Sequence, residues 1–360
     1  MSTRPDGGTR TDLWHDGAAA PSLPLPAGAR LPVRPRAVAV TAALVLVAGL
    51  VAVLAVATGS YELDLAGVLQ VLQGGGSETD RFIVLDQRLP RAIAAWLAGA
   101  GLGLSGAVFQ SLSRNPLGSP DIVGFTTGAS AGGLIVIICM GAPGVATLAL
   151  GTVAGGLLTA ALVIVATVRR GMAGENLVLA GIAIAAMISA VNEYLISRAP
   201  LESAEAAKAW QFGSLNTIGW SQTGVLAAGL VVLLPQLAWL ARPSRILELG
   251  DDTAAGLGVR PGRQRLAMLV YGVLLVAAVV SVTGPIGFLA LAAPQLARRL
   301  AGTPGIALWP AVAMGGALLG AADLLAQRLL APFQIPVGLV SSAIGGLYLL
   351  WLLGFSRRDG

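Results

Sequence analysis

The sequence contains one cysteine, one histidine and one lysine in 360 residues, and each scarcity closes a class of function. Cys139 has no partner for an intrachain disulfide and no companion thiolates for a metal site. His15 stands in a polar N-terminal segment, which disfavours any enzyme that needs a buried imidazole base. Lys208 follows Ala207, so the Gly-Lys-Ser/Thr of a phosphate-binding loop is missing and the chain cannot be its own ATPase of that type. Charge is scarce too: 11% of residues are charged, where a soluble domain carries roughly a quarter.

What is abundant is apolar. Hydrophobic residues make up 55% of the chain, and the mean hydropathy is +0.79. They fall in long runs, the signature of segments that face lipid. An all-α polytopic membrane protein is therefore expected. Residues 1–35 are rich in Gly, Pro, Ala, Thr and Arg without periodicity and read as a disordered cytoplasmic tail, with a partner-binding arm as the alternative. The membrane domain is expected over 36–356.

Ten apolar runs follow, at about 37–58, 91–110, 121–140, 145–168, 176–197, 222–241, 266–283, 285–300, 306–327 and 336–355. The first has basic residues before it and an Ala55–Val56–Ala57 triplet resembling a signal-peptidase site. Its length favours an uncleaved first span. Gly284-Pro285 splits the stretch 266–300 into two helices joined by a tight outer turn, with one long bent helix as the alternative.

Ten spans with the N-terminus inside place most of the 23 basic residues on the inner side. The outer side holds Arg81, Arg88, Arg91, Arg198, Lys208 and Arg328. The positive-inside rule then puts both termini in the cytoplasm of a multi-pass plasma (inner) membrane protein. The excess of arginine reads as membrane orientation and not as nucleic-acid binding.

The longest inner loop, about 242–265, carries Glu248-Leu249-Gly250-Asp251-Asp252 and then Ala255, Leu257 and Gly258. It reads as a short helix with a glycine turn: a docking surface for a cytoplasmic partner, or a solvated connector.

Several motifs are better explained by packing than by chemistry. Gly101-x-Gly103-x-x-Gly106 matches a dinucleotide fingerprint but sits in an apolar helix rather than after a strand. Gly128-Ala129-Ser130-Ala131-Gly132 matches a nucleophile elbow, yet Ser130 has no basic partner in prospect. Glycines four apart (Gly99/Gly103, Gly128/Gly132, Gly151/Gly155, Gly316/Gly320) are expected to let helices approach closely. Asp121, Glu193 and Asp323 lie near expected helix ends and keep open a proton-coupled transporter.

Arg88-Leu89-Pro90-Arg91 is expected to open the second span on the outer face, with Pro90 in a first helical turn. A helix N-terminus does not favour cations. The two arginines therefore point to an external anionic partner or to local pairing with Asp80 or Asp86.

An ordered set of segments adds to this reading. Arg88-Leu89-Pro90-Arg91 is followed by Gly99 to Gln110, Arg114-Asn115-Pro116-Leu117 and Pro120-Asp121-Ile122-Val123-Gly124. Leu179-Ala180-Gly181, Leu257-Gly258-Val259, Gly284-Pro285-Ile286-Gly287-Phe288, Pro294-Gln295-Leu296-Ala297-Arg298, Ala322-Asp323 and Ile335-Pro336-Val337-Gly338 come after. Over about 37–355 the chain resembles the FecCD family of ABC permeases, importers of iron–siderophores, haem and vitamin B12.

The resemblance implies a type II ABC importer permease without a cofactor or catalytic residue of its own. It implies a homo- or heterodimer resting on cytoplasmic ATP-binding subunits and met outside by a siderophore-binding protein. Arg88 and Arg91 match family arginines that meet glutamates of the binding protein. A third such arginine usually stands four residues after the position of Asp323; here Gln327 holds it and Arg328 follows. Glu248, Leu249, Gly250, Asp251, Asp252, Ala255, Leu257 and Gly258 resemble the segment that couples to the ATPase. Pro294-Gln295, where the family often has Pro-His, resembles permeases for catecholate siderophores of the enterobactin type.

Overall fold

The computed structural model describes residues 22–24, 30–32, 34–59, 61, 63–141, 144–168, 174–303, 305, 307–331 and 333–355. Most of the segment expected to be a tail lies outside them. Apart from a three-residue antiparallel pairing of β1 (Ser22–Pro24) with β2 (Arg30–Pro32), every described element is helical.

In chain order the helices are α1 (Pro35–Ala57), α2 (Leu65–Leu72), α3 (Glu78–Arg81), α4 (Leu89–Ser113), α5 (Phe125–Met140), α6 (Val145–Thr167) and α7 (Glu175–Arg198). Then come α8 (Leu201–Gln211), α9 (Trp220–Leu247), α10 (Asp251–Gly256), α11 (Pro261–Thr283), α12 (Leu289–Ala301), α13 (Leu308–Arg328) and α14 (Val337–Phe355). Among the described residues, seven helices are long and apolar enough to cross a membrane, counting Glu78–Ser113 as one. Shorter apolar helices fill the runs expected at 121–140 and 336–355.

Burial sorts the spans. The apolar window of Glu78–Ser113 is 83% buried and that of α11 67%, whereas only 6% of α1's is. Helix α4 is thus the central post, packed on α13, α11, α12 and α9, while α1 lies against α13 and shows the rest of its surface outward. Leu46, Leu50 and Val53 are exposed on α1, as suits side chains that meet lipid instead of water.

Close approach at the post comes from glycine. A Cβ on Gly99 would overlap the carbonyl of Gly315, and one on Gly103 the carbonyl of Ala311, so α4 and α13 meet backbone to backbone. The same device joins α5 to α6 through Gly132, Gly151 and Gly155. Without a hydrophobic drive between helices in lipid, such contacts and their dispersion energy supply the association.

The 266–300 stretch is two helices, as the Gly284-Pro285 break implied, and the second is short. Gly284 at φ +69° and Phe288 at φ +64° break the chain. At 1.5 Å per residue, the 13 residues of α12 cover about 20 Å, short of a hydrocarbon core of about 30 Å. Helix α12 packs on α13 and α4. Gly106 meets Ala290, and Gln110 Nε2 donates to the Leu291 carbonyl at 3.0 Å.

Candidate functional site

Two polar assemblies mark the two ends of α4. The first lies where α4 begins. Helical winding already runs from Glu78, and residues Phe82–Arg88 form a π-helical turn in which the Leu89 N–H reaches the Val84 carbonyl. That wider turn precedes Pro90, which lacks an N–H to give. Arg88 and Arg91 are therefore interior to a continuous helix and not in a first turn. The expectation of an unfavourable helix N-terminus at these cations loses its basis.

Neither arginine pairs with Asp80 or Asp86 in the bonds it makes. Asp80 accepts from Tyr61 Oη at 2.9 Å and from the Ser77 N–H at 3.0 Å. Arg88, half-buried, donates Nη1 to the Val56 carbonyl at 2.9 Å and Nη2 to the Tyr61 carbonyl at 2.6 Å. Arg91 is 9% exposed and turns into the protein.

Its guanidinium forks onto Asp323 of α13, with Nε to Oδ2 at 3.0 Å and Nη2 to Oδ1 at 2.8 Å. Nη1 donates to Gln334 Oε1 at 2.8 Å and Nη2 also to Asn216 Oδ1 at 2.9 Å. Asp323, 2% exposed, receives a further bond from Gln327 Nε2 at 2.8 Å. Four segments meet in this latch: α4, α13, the chain before α14 and the chain before α9. Two parallel bonds between a planar guanidinium and a carboxylate fix direction as well as distance. Arg328 stands beyond the latch on the last turn of α13, exposed.

The second assembly lies where α4 ends. Arg114 caps α4 in the left-handed region at φ 51°. Its Nη2 donates to the Leu247 carbonyl at 2.8 Å and to Asp251 Oδ1 at 2.7 Å. Arg265 of α11, 8% exposed, grips the same carboxylate with bonds of 2.8 and 2.6 Å. The hydrogen bonds from Arg265, chiefly, hold the Asp251 carboxyl below the usual carboxylate range, with the Arg265 and Arg114 charges adding to this and partial burial opposing it.

The expected short helix of the inner loop is α10. Gly250 at φ +111° sets its start. At its end, Val259 N–H bonds the Ala254 carbonyl and Gly258 N–H the Ala255 carbonyl, with Gly258 at φ +83°: a Schellman motif that needs glycine there. Ala254 is fully buried, while Leu249 and Leu257 are 66% and 61% exposed. Asp252, Ala255 and Gly258 are exposed as well, and Glu248 accepts from Ser111 Oγ at 3.2 Å.

The structure thus places Glu248 to Gly258 on the end of α9, the turn after it, and α10 with its cap; Arg88 and Arg328 stand at the ends of neighbouring helices that pack together. It sets Arg91 apart from them, facing inward. Sequence reasoning missed the partners: Asn216, Gln327 and Gln334 at the start of α4, Arg114 and Arg265 at its end. Arg114-Asn115-Pro116 stood among the motif segments, but nothing in its spacing pointed to Asp251. Gln295, singled out by its motif, donates to the Pro116 carbonyl at 2.6 Å and ties α12 to the turn after α4.

The remaining motif residues have packing or local partners. Gly101 faces Val279 and Leu230, Gly103 faces Ala311 and Gly106 faces Ala290, so the apparent fingerprint contacts neighbouring helices. Ser130 is a buried position inside α5. Glu193 pairs with Lys208 at 2.7 Å, and Asp121 accepts from Thr126 Oγ1 at 2.5 Å.

A multi-pass helical bundle with a buried ion latch at one end and a clamped helical arm at the other is the frame of a membrane permease. The chain belongs to the FecCD transport family, whose model matches residues 43–355. It is 44% identical over 296 residues to the ferric enterobactin transport system permease protein of Escherichia coli (strain K12), covering 82% of this chain and 89% of that one. The hemin transport system permease protein of Yersinia pestis is 38% identical over 285 residues, 77% of this chain and 84% of that one. A solved inward-facing metal-chelate type ABC transporter superposes with a TM-score of 0.78 at 27% identity, covering 88% of this chain and 98% of that one. The protein is a permease subunit of an ABC importer.

Proposed function

We propose that this permease carries a ferric siderophore inward by alternating access, driven by separate cytoplasmic ATPase subunits and fed by an extracytoplasmic binding protein. It works as a homo- or heterodimer in the plasma (inner) membrane, with ten membrane-inserted helices per chain and both termini inside. The outer arginines Arg88, Arg91 and Arg328 serve the docking of the binding protein. Glu248, Leu249, Gly250, Asp251, Asp252, Ala255, Leu257 and Gly258 receive the ATPase.

One observation carries the reading. Helix α10 projects Leu249 and Leu257 outward while Asp251 fastens it to Arg114 at the end of α4 and to Arg265 at the start of α11. A push on those leucines is therefore delivered to the two most buried spans. A proton-coupled mechanism gains less support: Asp323 is committed to Arg91, and Glu193 to Lys208. A serine hydrolase gains none, because Ser130 is buried within the regular helix α5 rather than on an exposed turn.

The test is uptake of radiolabelled ferric enterobactin by cells carrying the chain with its partners. Uptake should stop on ATP depletion and survive collapse of the proton gradient at constant ATP. The reverse pattern would establish a secondary transporter.

A further inference from the structure

We propose that Gln295 is a positioning residue in transport: its buried amide joins the turn after α4 to α12, and through α12 to α14, so that displacement of α10 is handed on to α14. The inference rests on the importer reading and adds a route from the clamp to helices other than α4 and α11.

Burial sets the requirement. Gln295 is 4% exposed on α12, and an amide taken out of water is costly unless both its ends are bonded. Its Nε2 donates to the Pro116 carbonyl at 2.6 Å, and its Oε1 accepts from Tyr348 Oη at 3.4 Å. The first bond is short and the second long. The joint is thus tight toward the turn and slack toward Tyr348.

The turn is a stiff link. Leu117 N–H bonds Asn115 Oδ1 and Gly118 N–H bonds the Asn115 carbonyl, both at 2.9 Å. Pro116 fixes its own φ. Arg114, just before Asn115, holds Asp251 and the Leu247 carbonyl. A movement of α10 therefore reaches the Pro116 carbonyl through chain with little freedom, and Gln295 is the side chain that receives it.

On α12 the amide works against a second attachment. Pro294 has no N–H to give, which leaves the Ala290 carbonyl without its helical partner. That carbonyl lies against Gly106 of α4, where a Cβ would overlap it. The following carbonyl, of Leu291, accepts from Gln110 Nε2 at 3.0 Å. Leu291 and Gln295 are about one turn apart on one face of α12. While both hold, α12 cannot roll on α4; with the Gln295 bond cut, Leu291 becomes a pivot.

Packing passes the movement to α14. Gly345 lies so close to α12 that a Cβ there would overlap the Phe288 side chain. The start of α14 is pinned: Gly338 N–H donates to the Gly213 carbonyl at 2.9 Å, and a Cβ on Gly338 would overlap the Phe212 carbonyl. Gly345 stands about two turns, or about 10 Å, further along the helix. Helix α14 is thus a lever hinged near Gly338 and pressed near Gly345.

The deciding experiment reads coupling. In proteoliposomes holding the complete importer, ATP turnover and uptake of radiolabelled ferric enterobactin are measured together for wild type, Gln295→Leu, Gln295→His and Tyr348→Phe. Gln295→Leu should keep ATP turnover within about twofold while uptake per ATP falls about tenfold, the scale of one buried bond lost. Gln295→His retains one donor and one acceptor and should recover most of the loss. Tyr348→Phe, which cuts only the long bond, should cost about twofold. If turnover and uptake instead fell in step with the amount of folded complex, Gln295 would be a bond of the fold alone, and the route would fail with the importer reading intact.

A second measurement does not depend on the substrate. A Cys139→Ser chain carries spin labels at Leu158→Cys on α6 and Leu347→Cys on α14, both exposed positions. Their separation should shift by about 2 Å or more when a non-hydrolysable ATP analogue binds the complex, and the shift should vanish in Gln295→Leu. An equal shift in both chains, or none in either, would overturn the route. A shift that needs Gln295 in a complex that takes up no ferric enterobactin would uphold the route and sink the siderophore reading.

Discussion

The two ends of α4 are fastened by the same chemistry in opposite surroundings. Where α4 begins, one aspartate meets one arginine in a buried site, 2% exposed at Asp323. Where α4 ends, one aspartate is shared by two arginines, with its side chain 43% exposed. A buried pair is expensive to break because the survivor keeps its charge without water. A half-exposed carboxylate loses less, because water can replace the exposed Arg114, although Arg265 itself is buried. The assembly at the start of α4 is thus built to stay made, and the one at its end can yield and re-form more readily.

The sharpest way to break the contrast is to neutralise each aspartate. Asp323→Leu alone should cost about 3–5 kcal/mol through the stranded Arg91 and lower the yield of folded protein from detergent. Adding Arg91→Met should recover much of that loss, since apolar replacement of both partners is often neutral. Asp251→Asn keeps one oxygen to accept from the buried Arg265 while Arg114 can turn to water, so it should cost less than Asp323→Leu, about 1–3 kcal/mol, yet slow ATP-driven uptake. Equal melting losses for the two aspartates would erase the distinction.

Next in size is the glycine seam between α4 and α13, which the outer latch closes. Gly99→Val would drive a side chain into the Gly315 backbone, where neither neighbour has a flexible end to move. A loss of at least about 1–3 kcal/mol is expected from such overpacking, read as a lower unfolding midpoint. Gly256→Ala at the inner end meets nothing within 4 Å and should be silent. A silent Gly99→Val would mean that the latch, not the seam, holds these helices.

These contrasts also explain what the sequence disclosed. Apolar runs located every long helix, because lipid demands continuous hydrophobicity, and the spacing of Gly99 with Gly103 and of Gly151 with Gly155 foretold the close seams. The exact bounds of α12 stayed hidden: the run from 285 to 300 reads as a short helix, and only the left-handed backbone at Phe288 and Gly302 shows that it begins at Leu289 and ends at Ala301. Arg88 and Arg91 looked equivalent in sequence, three residues apart. Their divergence depends on Asp323, 232 residues from Arg91, and on amides from two loops. No local pattern encodes such a meeting.

The smallest expected effect concerns pH at the inner clamp. Asp251 is held below its ordinary range chiefly by the Arg265 bonds, and an unfolded aspartate titrates near 3.9. A lowered folded value means that the clamp's contribution is complete above about pH 4 and is lost only as pH falls through the folded value. Melting of the wild type and of Asp251→Asn should therefore differ by a constant, small amount from pH 5 to 8 and converge only in acid. Because the carboxylate is half in water, added salt should shrink even that difference. A gap that instead opened between pH 6 and 8 would place another titrating group in the clamp, and the freedom of α10 to yield under a partner's push would then depend on the state of that group.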